Sequence, residues 1–327
     1  MLRLILALCT VLAGAAPLHA ACSGANLLDT MAPAELSALE ARVSGDPFAE
    51  GNHWQAMRGD STIDLVGTMH INDDRMPAIV ERLAPVLRGA DGLWLEATDV
   101  EMRQLQSEMS RNPALIFAPG PTLPERLDEA EWQSLSAALW KRGFPPFLAS
   151  KMRPWFVAML LSIPACALDH SGQPMQGLDE LLQIEARKAG VPVAALEPWD
   201  TILHVFAAME QTDQIDALRT ALLVSEQSDD FFATMVAAYF DQRHRLVWEM
   251  SRDLNRLAPD PAAAERDFAT MEKVLLIDRN RSWIDPIETA AEGRHIVVGM
   301  GAAHLSGPDG VLRLLHDRGW TLRRADF

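Results

Sequence analysis

Two histidines and two glutamates each follow a short apolar segment of the chain. They are His70, Glu96, Glu197 and His304. Neutral imidazole nitrogens combined with carboxylate oxygens form the ligand set that a divalent ion of intermediate hardness binds in proteins. If the four segments are neighbouring strands, these residue types predict a divalent metal site with two histidines and at least one glutamate as ligands.

The two histidines occur in the same local pattern, Gly67-x-x-His70 and Gly301-x-x-His304. A glycine lets the chain turn sharply out of a strand, because it has no Cβ atom to clash. One such pattern is common by chance, and a single histidine in it more often packs in the core or caps a helix. Two matching patterns at opposite ends of the chain favour one shared site.

Each glutamate has an alternative, purely structural role. A carboxylate at a strand end often caps the next helix, but Asp99 and Glu101 are available for that purpose after Glu96. This favours a functional role for Glu96. Glu197 precedes a proline and is also suited to capping the helix predicted from Thr201, so both roles stay open for it.

The elements that must position these residues follow from the apolar periodicity. Short strands are predicted over Thr62–Val66, Leu93–Leu95, Val191–Leu196 and His295–Val298, with an edge strand over Trp320–Arg323. Helices are predicted over Met76–Leu87, Leu178–Ala189 and Val311–His316, after a helical arm in residues 22–50. A strand, a helix and a strand at this spacing form a βαβ unit with parallel strands. Ligands of such sheets bind beyond the carboxyl ends of the strands, which is where the four residues lie.

The predicted fold is therefore α/β, with an open, mostly parallel sheet built from an N-terminal and a C-terminal βαβ half. Long helical stretches separate the two halves, at about residues 100–190 and 200–290. We interpret these stretches as a large helical insertion that forms a cap lobe. Residues 22–327 then make up a single domain.

The first 21 residues have the composition of a signal peptide. Arg3 precedes an apolar stretch, Leu4–Ala13, and small residues allow cleavage after Ala20 or Ala21. The alternative is an uncleaved N-terminal anchor. Cleavage predicts a periplasmic or secreted protein, and the removal of Arg3 changes the formal net charge from −16 to −17.

The cysteines agree with export. The mature chain keeps Cys22 and Cys166, and an even number in an oxidising compartment predicts one disulfide between them. Two buried free thiols are the alternative. No transmembrane segment is predicted after the signal, because the best candidate, Trp155–Leu168, is short and interrupted by Pro164.

Composition and absent motifs exclude several classes of protein. A net charge of −16 repels nucleic-acid phosphates and anionic lipids, so neither is predicted as a partner. The sequence has no Gly-x-Ser-x-Gly nucleophile motif, no His-Glu-x-x-His zinc motif and no phosphate-binding Walker loop. The expected partner is a peptide or small-molecule substrate.

Several segments resemble the TraB/PrgY/GumN family, which includes the Tiki metalloproteases. The matching segments are Leu65–Ile71, Leu93–Glu96, Gly177–Glu180, Val193–Glu197, Asp278–Trp283 and Val297–Leu305. The two Gly-x-x-His patterns and the pair Arg279-Asn280 are the most specific parts of the resemblance. Membrane-anchored relatives carry transmembrane segments, and this chain has only its signal.

The resemblance implies metal-dependent hydrolysis, of peptide bonds in Tiki-like members, with manganese or cobalt among the supporting ions. Zinc also suits these residue types. Carried over residue by residue, His70, Glu96 and His304 form the metal or catalytic core. The candidates for supporting or substrate-side roles are Asp179, Glu180, Arg279 and Asn280.

In the mechanism that we expect, the ion activates water and polarises the carbonyl under attack. Glu197 or Glu180 takes the proton, and Arg279 holds a substrate carboxylate or the developing oxyanion. Two alternatives stay open. One is a non-catalytic protein that binds a haem, a peptide or a small signal at the same site. The other is a metal-independent, esterase-like hydrolase in which His70 is the base and Glu96 orients it.

Overall fold

A computed structural model describes most of the protein. The described residues are 24–71, 73–168, 176–207, 209–225, 228–255 and 260–327. The predicted signal peptide and Cys22 lie outside the described residues.

Within the described residues, six strands form one sheet. They are β1 (His53–Arg58), β2 (Ser61–Thr68), β3 (Gly92–Leu95), β4 (Val193–Ala195), β5 (His295–Gly301) and β6 (Thr321–Arg324). Their spatial order is β4-β3-β5-β2-β1-β6. Strands β2 to β5 pair in parallel, whereas β1 runs antiparallel to both of its neighbours. Every strand except β1 therefore points the same way, and the predicted open, mostly parallel α/β sheet is confirmed.

The two predicted βαβ halves are interleaved in this sheet. Strand β5, from the C-terminal part of the chain, lies between β2 and β3. The strands of the N-terminal unit are thus parallel but do not touch each other. The arrangement places the strand that leads to His304 between the strands that lead to His70 and Glu96.

Strand β1 was not predicted, and its side chains explain why. His53 and Gln55 face the buried carboxylate of Asp64 on β2, with His53 Nε2 2.9 Å from Asp64 Oδ1 and Gln55 Nε2 3.5 Å from Asp64 Oδ2. A strand that turns polar side chains towards a buried charge lacks the apolar alternation on which strand prediction depends.

Sixteen α-helices are described. They are α1 (Leu27–Thr30), α2 (Pro33–Val43), α3 (Met76–Arg88), α4 (Asp99–Arg111), α5 (Leu123–Arg126), α6 (Glu129–Lys141), α7 (Pro146–Ala149), α8 (Pro154–Ser162), α9 (Leu178–Lys188), α10 (Thr201–Ala207), α11 (Gln211–Ser225), α12 (Ser228–Phe240), α13 (His244–Asn255), α14 (Pro261–Glu272), α15 (Asp278–Ala291) and α16 (Val311–Asp317). The three predicted helices correspond to α3, α9 and α16. A π-helical turn, Lys273–Ile277, joins α14 to α15.

The sheet is covered on both faces. Successive residues of a strand point to opposite faces, and Val66 accordingly packs with α3 and α9, whereas Leu65 packs with α15 and α16. Strand β5 divides its side chains in the same way, with Val297 in the first cluster and Val298 in the second. Both central strands are therefore apolar on both sides, as parallel strands between helical layers are.

Most of the helices lie between β3 and β5 in sequence, as predicted for the cap lobe. Helices α5, α6, α8 and α11 share a separate hydrophobic core, which includes Leu123, Leu139, Val157 and Leu218. The assignment of these helices to a cap within a single domain stays a prediction. None of the helices in the described part of the chain is long and apolar enough to cross a membrane.

The N-terminal arm packs through α1 and α2 against α12 and α13. At its start, the backbone of Gly24 is in close contact with the backbone of Asp229. The sulfur of Cys166 lies 3.6 Å from Oδ1 of the same aspartate. Both contacts place Gly24 near Cys166, and the pairing of Cys22 with Cys166 stays a prediction.

The predicted pairing of Cys22 with Cys166 has a measurable consequence for stability. We expect Cys166→Ser to lower the free energy of unfolding by about 2–4 kcal/mol, because the link closes a long loop in the unfolded chain. Chemical denaturation of the purified mature protein measures this, and Cys22→Ser and the double variant should give the same loss. Two alkylatable thiols in the unreduced, denatured protein would contradict the pairing.

A buried charged cluster at Asp64 makes stability depend on pH. His295 Nε2 lies 2.6 Å from Asp64 Oδ2, opposite the bond from His53. Burial works against the charge of Asp64, but its bonds to His295 and His53 outweigh burial and lower its pKa to about 2. The bond to Asp64 raises the pKa of His295. The Asp64 contribution is therefore lost only as the pH falls towards 2, whereas the His295 contribution is complete below about pH 6.5 and is lost as the pH rises through the raised pKa.

We therefore expect the urea midpoint of the protein to decrease from pH 6 to pH 9. Asp64→Asn should lower the free energy of unfolding by about 3–5 kcal/mol, because it removes the buried carboxylate to which His53 and His295 are bonded. The urea midpoint of this variant should also decrease less above pH 6 than that of the native protein. Asp317→Asn, which changes an exposed aspartate, is the control, and an equal pH dependence in Asp64→Asn and the native protein would refute this account.

Candidate functional site

The polar residues predicted at the strand ends lie at one edge of the sheet. β3 ends at Leu95, directly before Glu96, and β5 ends at Gly301, followed by a 3₁₀ turn, Ala302–His304. His70 and Glu197 each stand two residues after a strand. Because these four strands are parallel, their carboxyl ends meet at the same edge.

Gly301 marks the point on which the three predicted ligands converge. A Cβ atom at this glycine would lie 3.4 Å from Glu96 Oε1, 3.6 Å from His70 Nε2 and 3.6 Å from His304 Cδ2. The backbone N–H of Gly301 donates to Glu96 Oε1 at 2.7 Å. A glycine at this position leaves open the small space that the two imidazoles and the carboxylate surround.

His304 is buried and held in one tautomer. Its Nδ1 lies 2.6 Å from Asn280 Oδ1, and the amide orientation of Asn280 is fixed because its Nδ2 donates to the carbonyl of Asp309 at 2.9 Å. Nδ1 of His304 is therefore the donor, and its Nε2 carries the lone pair. Burial, aided by the charge of Arg279, lowers the pKa of His304 to about 4 despite the opposing charge of Glu96. The ring is neutral near pH 7.

His70 is held from the other side of the site. Its Nδ1 lies 2.8 Å from Asp179 Oδ2, and Thr68 donates to the other oxygen of Asp179 at 2.5 Å. Asp179 is placed by the start of α9, where Leu178 N donates to the carbonyl of Met69 at 2.9 Å. The Asp179 carboxylate raises the pKa of His70, although 65% of this side chain is exposed and water screens part of the effect.

Arg279 connects the two glutamates with His304. It donates from Nη2 to Glu96 Oε2 at 2.5 Å and to Glu197 Oε1 at 2.7 Å. Its Nε donates to Glu197 Oε2 at 3.0 Å, and its Nη1 donates to Nε2 of His304 at 3.3 Å. A guanidinium group only donates, so the last contact confirms that Nε2 of His304 is an acceptor.

The charges around Glu96 keep it ionised. Burial opposes its ionisation, but Arg279, His70 and the charge that His304 takes up only at low pH outweigh burial and hold the pKa of Glu96 at about 2. Glu197 accepts a third hydrogen bond, from Trp283 Nε1 at 3.2 Å. Its carboxylate is thus fully engaged, and it does not cap the helix after it.

Glu180, the other predicted proton acceptor, is placed differently. It is exposed in the first turn of α9, next to Asp179. Burial and the charge of Asp179 raise the pKa of Glu180, which is the direction that suits a general acid or base. Of the two candidates, Glu180 is the better proton acceptor, since Glu197 is engaged by Arg279 and Trp283.

Sequence reasoning missed two side chains that contribute to the site. Trp283 lies one helical turn after Arg279, its ring packs 4.6 Å from that of His304, and Arg279 lies over it at 4.9 Å. Thr68 orients Asp179, as described above. The i, i+4 spacing of Arg279 and Trp283 on a helix was the available signal for the tryptophan.

The donor atoms suit a divalent ion, but they are not arranged around one. Within the described ranges, no group of three or more His, Cys, Asp and Glu side chains has a metal-binding arrangement. Both histidines nevertheless have Nδ1 bound to a neighbouring side chain, as metal-binding histidines do, so Nε2 is the nitrogen left to each for a ligand, although Nε2 of His304 accepts from Arg279. The residues therefore fit the ion in type and tautomer, with Arg279 bonded to two of them.

Comparison with known proteins gives consistent matches. The profile of the TraB/PrgY/gumN family matches residues 52–324. The chain is 26% identical over 275 residues to the uncharacterized protein YbaP of Escherichia coli (strain K12). The aligned region covers 81% of this chain and 94% of YbaP. YbaP of Shigella flexneri matches with the same identity and coverage.

The tautomer of His304 can be tested by NMR. We expect the native protein to show a neutral His304 with its proton on Nδ1 from pH 5 to pH 8. Asn280→Asp should raise the pKa of His304, because a carboxylate at Nδ1 stabilises the charged ring. A ¹H–¹⁵N correlation spectrum of the imidazoles measures both, with the exposed His316 as an internal reference. A proton on Nε2 of His304 in the native protein would contradict the assignment.

Proposed function

The chain belongs to the TraB/PrgY/gumN family, and we propose that it is an exported, metal-dependent hydrolase that acts on peptide bonds. His70, Glu96 and His304 would hold the divalent ion. The predicted signal peptide, which would be removed during export, supports a periplasmic or secreted location.

One observation carries this proposal. Two imidazoles from opposite ends of the chain lie beside Glu96, with Nε2 of His70 near Gly301 and Nε2 of His304 3.6 Å from Glu96 Oε1. Each has its Nδ1 bound to a side chain, Asp179 or Asn280. Core histidines have no need for this paired orientation. Side chains that fix the rings of metal ligands in this way strengthen and orient the ligands.

A divalent ion at this position would lower the pKa of water and polarise a substrate carbonyl. The chain's own residues have separate tasks. Asp179 and Asn280 keep the two rings in place, and Glu96 keeps a negative charge in the centre. Glu180 stands at the exposed side, where it can take and return a proton. Arg279 can donate to an oxygen that gains negative charge during the reaction.

The charge of the site indicates which substrates it accepts. The site has four carboxylates, those of Glu96, Asp179, Glu180 and Glu197, and its permanent cation, Arg279, pairs with two of them, Glu96 and Glu197. A surplus of negative charge repels anionic substrates. We therefore propose neutral or cationic peptides as the substrates, with the helices between β3 and β5 setting the specificity.

A second candidate function is favoured by the His70–Asp179 pair. A histidine oriented by a buried aspartate is the arrangement of a general base in metal-independent hydrolases. Asp179, and not Glu96, orients His70. In this mechanism the activity should increase with pH, because the Asp179 carboxylate raises the pKa of His70 and the base acts only after losing its proton.

Metal content and peptide hydrolysis distinguish these functions. We expect the mature protein to bind about one equivalent of manganese, cobalt or zinc after dialysis, as measured by elemental analysis. His70→Ala and His304→Ala should each reduce metal affinity and hydrolysis of a fluorogenic peptide library by at least about 100-fold, because each removes a ligand or its support. His204→Ala, which changes an exposed histidine on α10, is the control.

The chelator experiment decides between the alternatives. Loss of hydrolysis in EDTA and its recovery on adding metal back support the metal-dependent reaction. Hydrolysis that persists in EDTA but is lost in Asp179→Asn would support the second candidate instead. Equal, substoichiometric metal content in the native protein and both variants would refute the proposed metal site. A haem absorbance band in the spectrum of the purified protein would favour a binding protein without hydrolytic activity.

A further inference from the structure

The contacts of Arg279 point to a role that the proposed hydrolysis does not require. We propose that Arg279 is a displaceable internal cation, which occupies the metal position of this site and must release Glu96 and His304 before a divalent ion binds. The inference rests on the proposed metal site and concerns how that site is filled. It makes ion binding an exchange of one cation for another.

Arg279 is fully bonded in the structure. Its side chain is 13% exposed, and each of its five N–H groups has an acceptor. Four of them bind Glu96, Glu197 and His304 as described. The fifth, from Nη1, binds the carbonyl of Leu275 at 3.1 Å. A guanidinium with every donor satisfied by built-in partners is held in place, and it can donate to another group only after some of these bonds are released.

The acceptor carbonyl of Leu275 lies in the π-helical turn before α15. Leu275 lies inside the turn, Lys273–Ile277, and Arg279 is four residues later. In this turn the backbone N–H of Asp278 donates to the carbonyl of Lys273, five residues earlier instead of the four of an α-helix. The irregular turn and the side chain of Arg279 therefore meet at the same carbonyl, and such turns are frequent at functional sites.

Arg279 is attached more firmly to one side of the site than to the other. Glu197 binds it through both oxygens, a two-bond geometry that is the strong form of this pair. Trp283 supports both partners, since it donates to Glu197 and lies under the guanidinium. Glu96 and His304 each receive a single bond from Arg279.

The two single bonds are made to atoms that the ion requires. They end on Glu96 Oε2 and on Nε2 of His304. Nε2 is the only nitrogen through which His304 can bind a metal, because its Nδ1 is bound to Asn280. A lone pair that accepts from Arg279 cannot at the same time bind an ion. Release of these bonds leaves Arg279 on Glu197, so the guanidinium has a place to stay after the exchange.

Binding of manganese to variants of Arg279 tests this inference. Arg279→Met keeps much of the side-chain volume but has no charge and no donor. We expect it to bind manganese at least tenfold more tightly than the native protein in isothermal titration calorimetry at pH 7.5. In thermal unfolding without metal it should melt at a lower temperature, and saturating manganese should raise its melting temperature by more than that of the native protein. Arg313→Gln, which removes an exposed arginine paired with Asp317 on α16, should leave the affinity unchanged.

Added guanidinium ion distinguishes displacement of the Arg279 side chain from a general effect of charge on manganese binding. In Arg279→Ala, guanidinium chloride at low millimolar concentration should enter the vacated space and weaken manganese binding. Sodium chloride at the same ionic strength should have less effect. If Arg279→Met does not fold, Arg279→Ala and Arg279→Lys serve for the titration, and each should bind manganese more tightly than the native protein.

The outcomes distinguish this inference from the proposed function. Tighter binding in the variants, reversed by guanidinium, supports both. If the native protein binds manganese and the Arg279 variants bind it equally or more weakly, Arg279 is not a displaceable cation. The proposed metal-dependent hydrolase would still stand in that case. No manganese binding by the native protein or by any variant would overturn both.

Discussion

The guanidinium of Arg279 is buried among two carboxylates and an imidazole, and the geometry of the strand ends depends on it. Glu96 and Glu197 follow neighbouring parallel strands, and two glutamates so close together repel each other unless a cation lies between them. Burial of charged groups is tolerated only when each is paired and hydrogen-bonded. Arg279 meets this condition for both glutamates, and Trp283 holds the arrangement from below.

The two histidines of the site are opposite in character, although their local sequence patterns are the same. His304 follows the central strand of the site, is covered by Trp283, and is neutral because it is buried. His70 is mostly exposed and is held by the carboxylate of Asp179, which favours its charged form. One glycine pattern thus delivers a buried acceptor and an exposed, titratable ring to the same space. The difference comes from their partners and not from the pattern.

The sequence predicted those features that depend on short stretches of chain. The glycine before each histidine and the apolar runs before Glu96 and Glu197 identified four strand ends, and parallel strands placed them at one edge. The partner of each histidine was harder to find. Asp179 meets His70 only because α9 begins against the backbone of Met69, and Asn280 meets His304 only because of how α15 packs. The resemblance indicated these residues, but their contacts join segments far apart in sequence. Strand β1 was missed because its polar side chains face Asp64.

The position of β5 has a consequence for how the protein matures. This strand is encoded near the end of the chain, yet it separates β2 from β3 in the finished sheet. Sheets that rely on such distant pairings close late in folding. A polypeptide emerging from the ribosome or from an export channel would carry His70 and Glu96 with no neighbour between them until residues 295–301 arrive. The strand ends of the candidate site are therefore brought together only after residues 295–301 have joined the sheet.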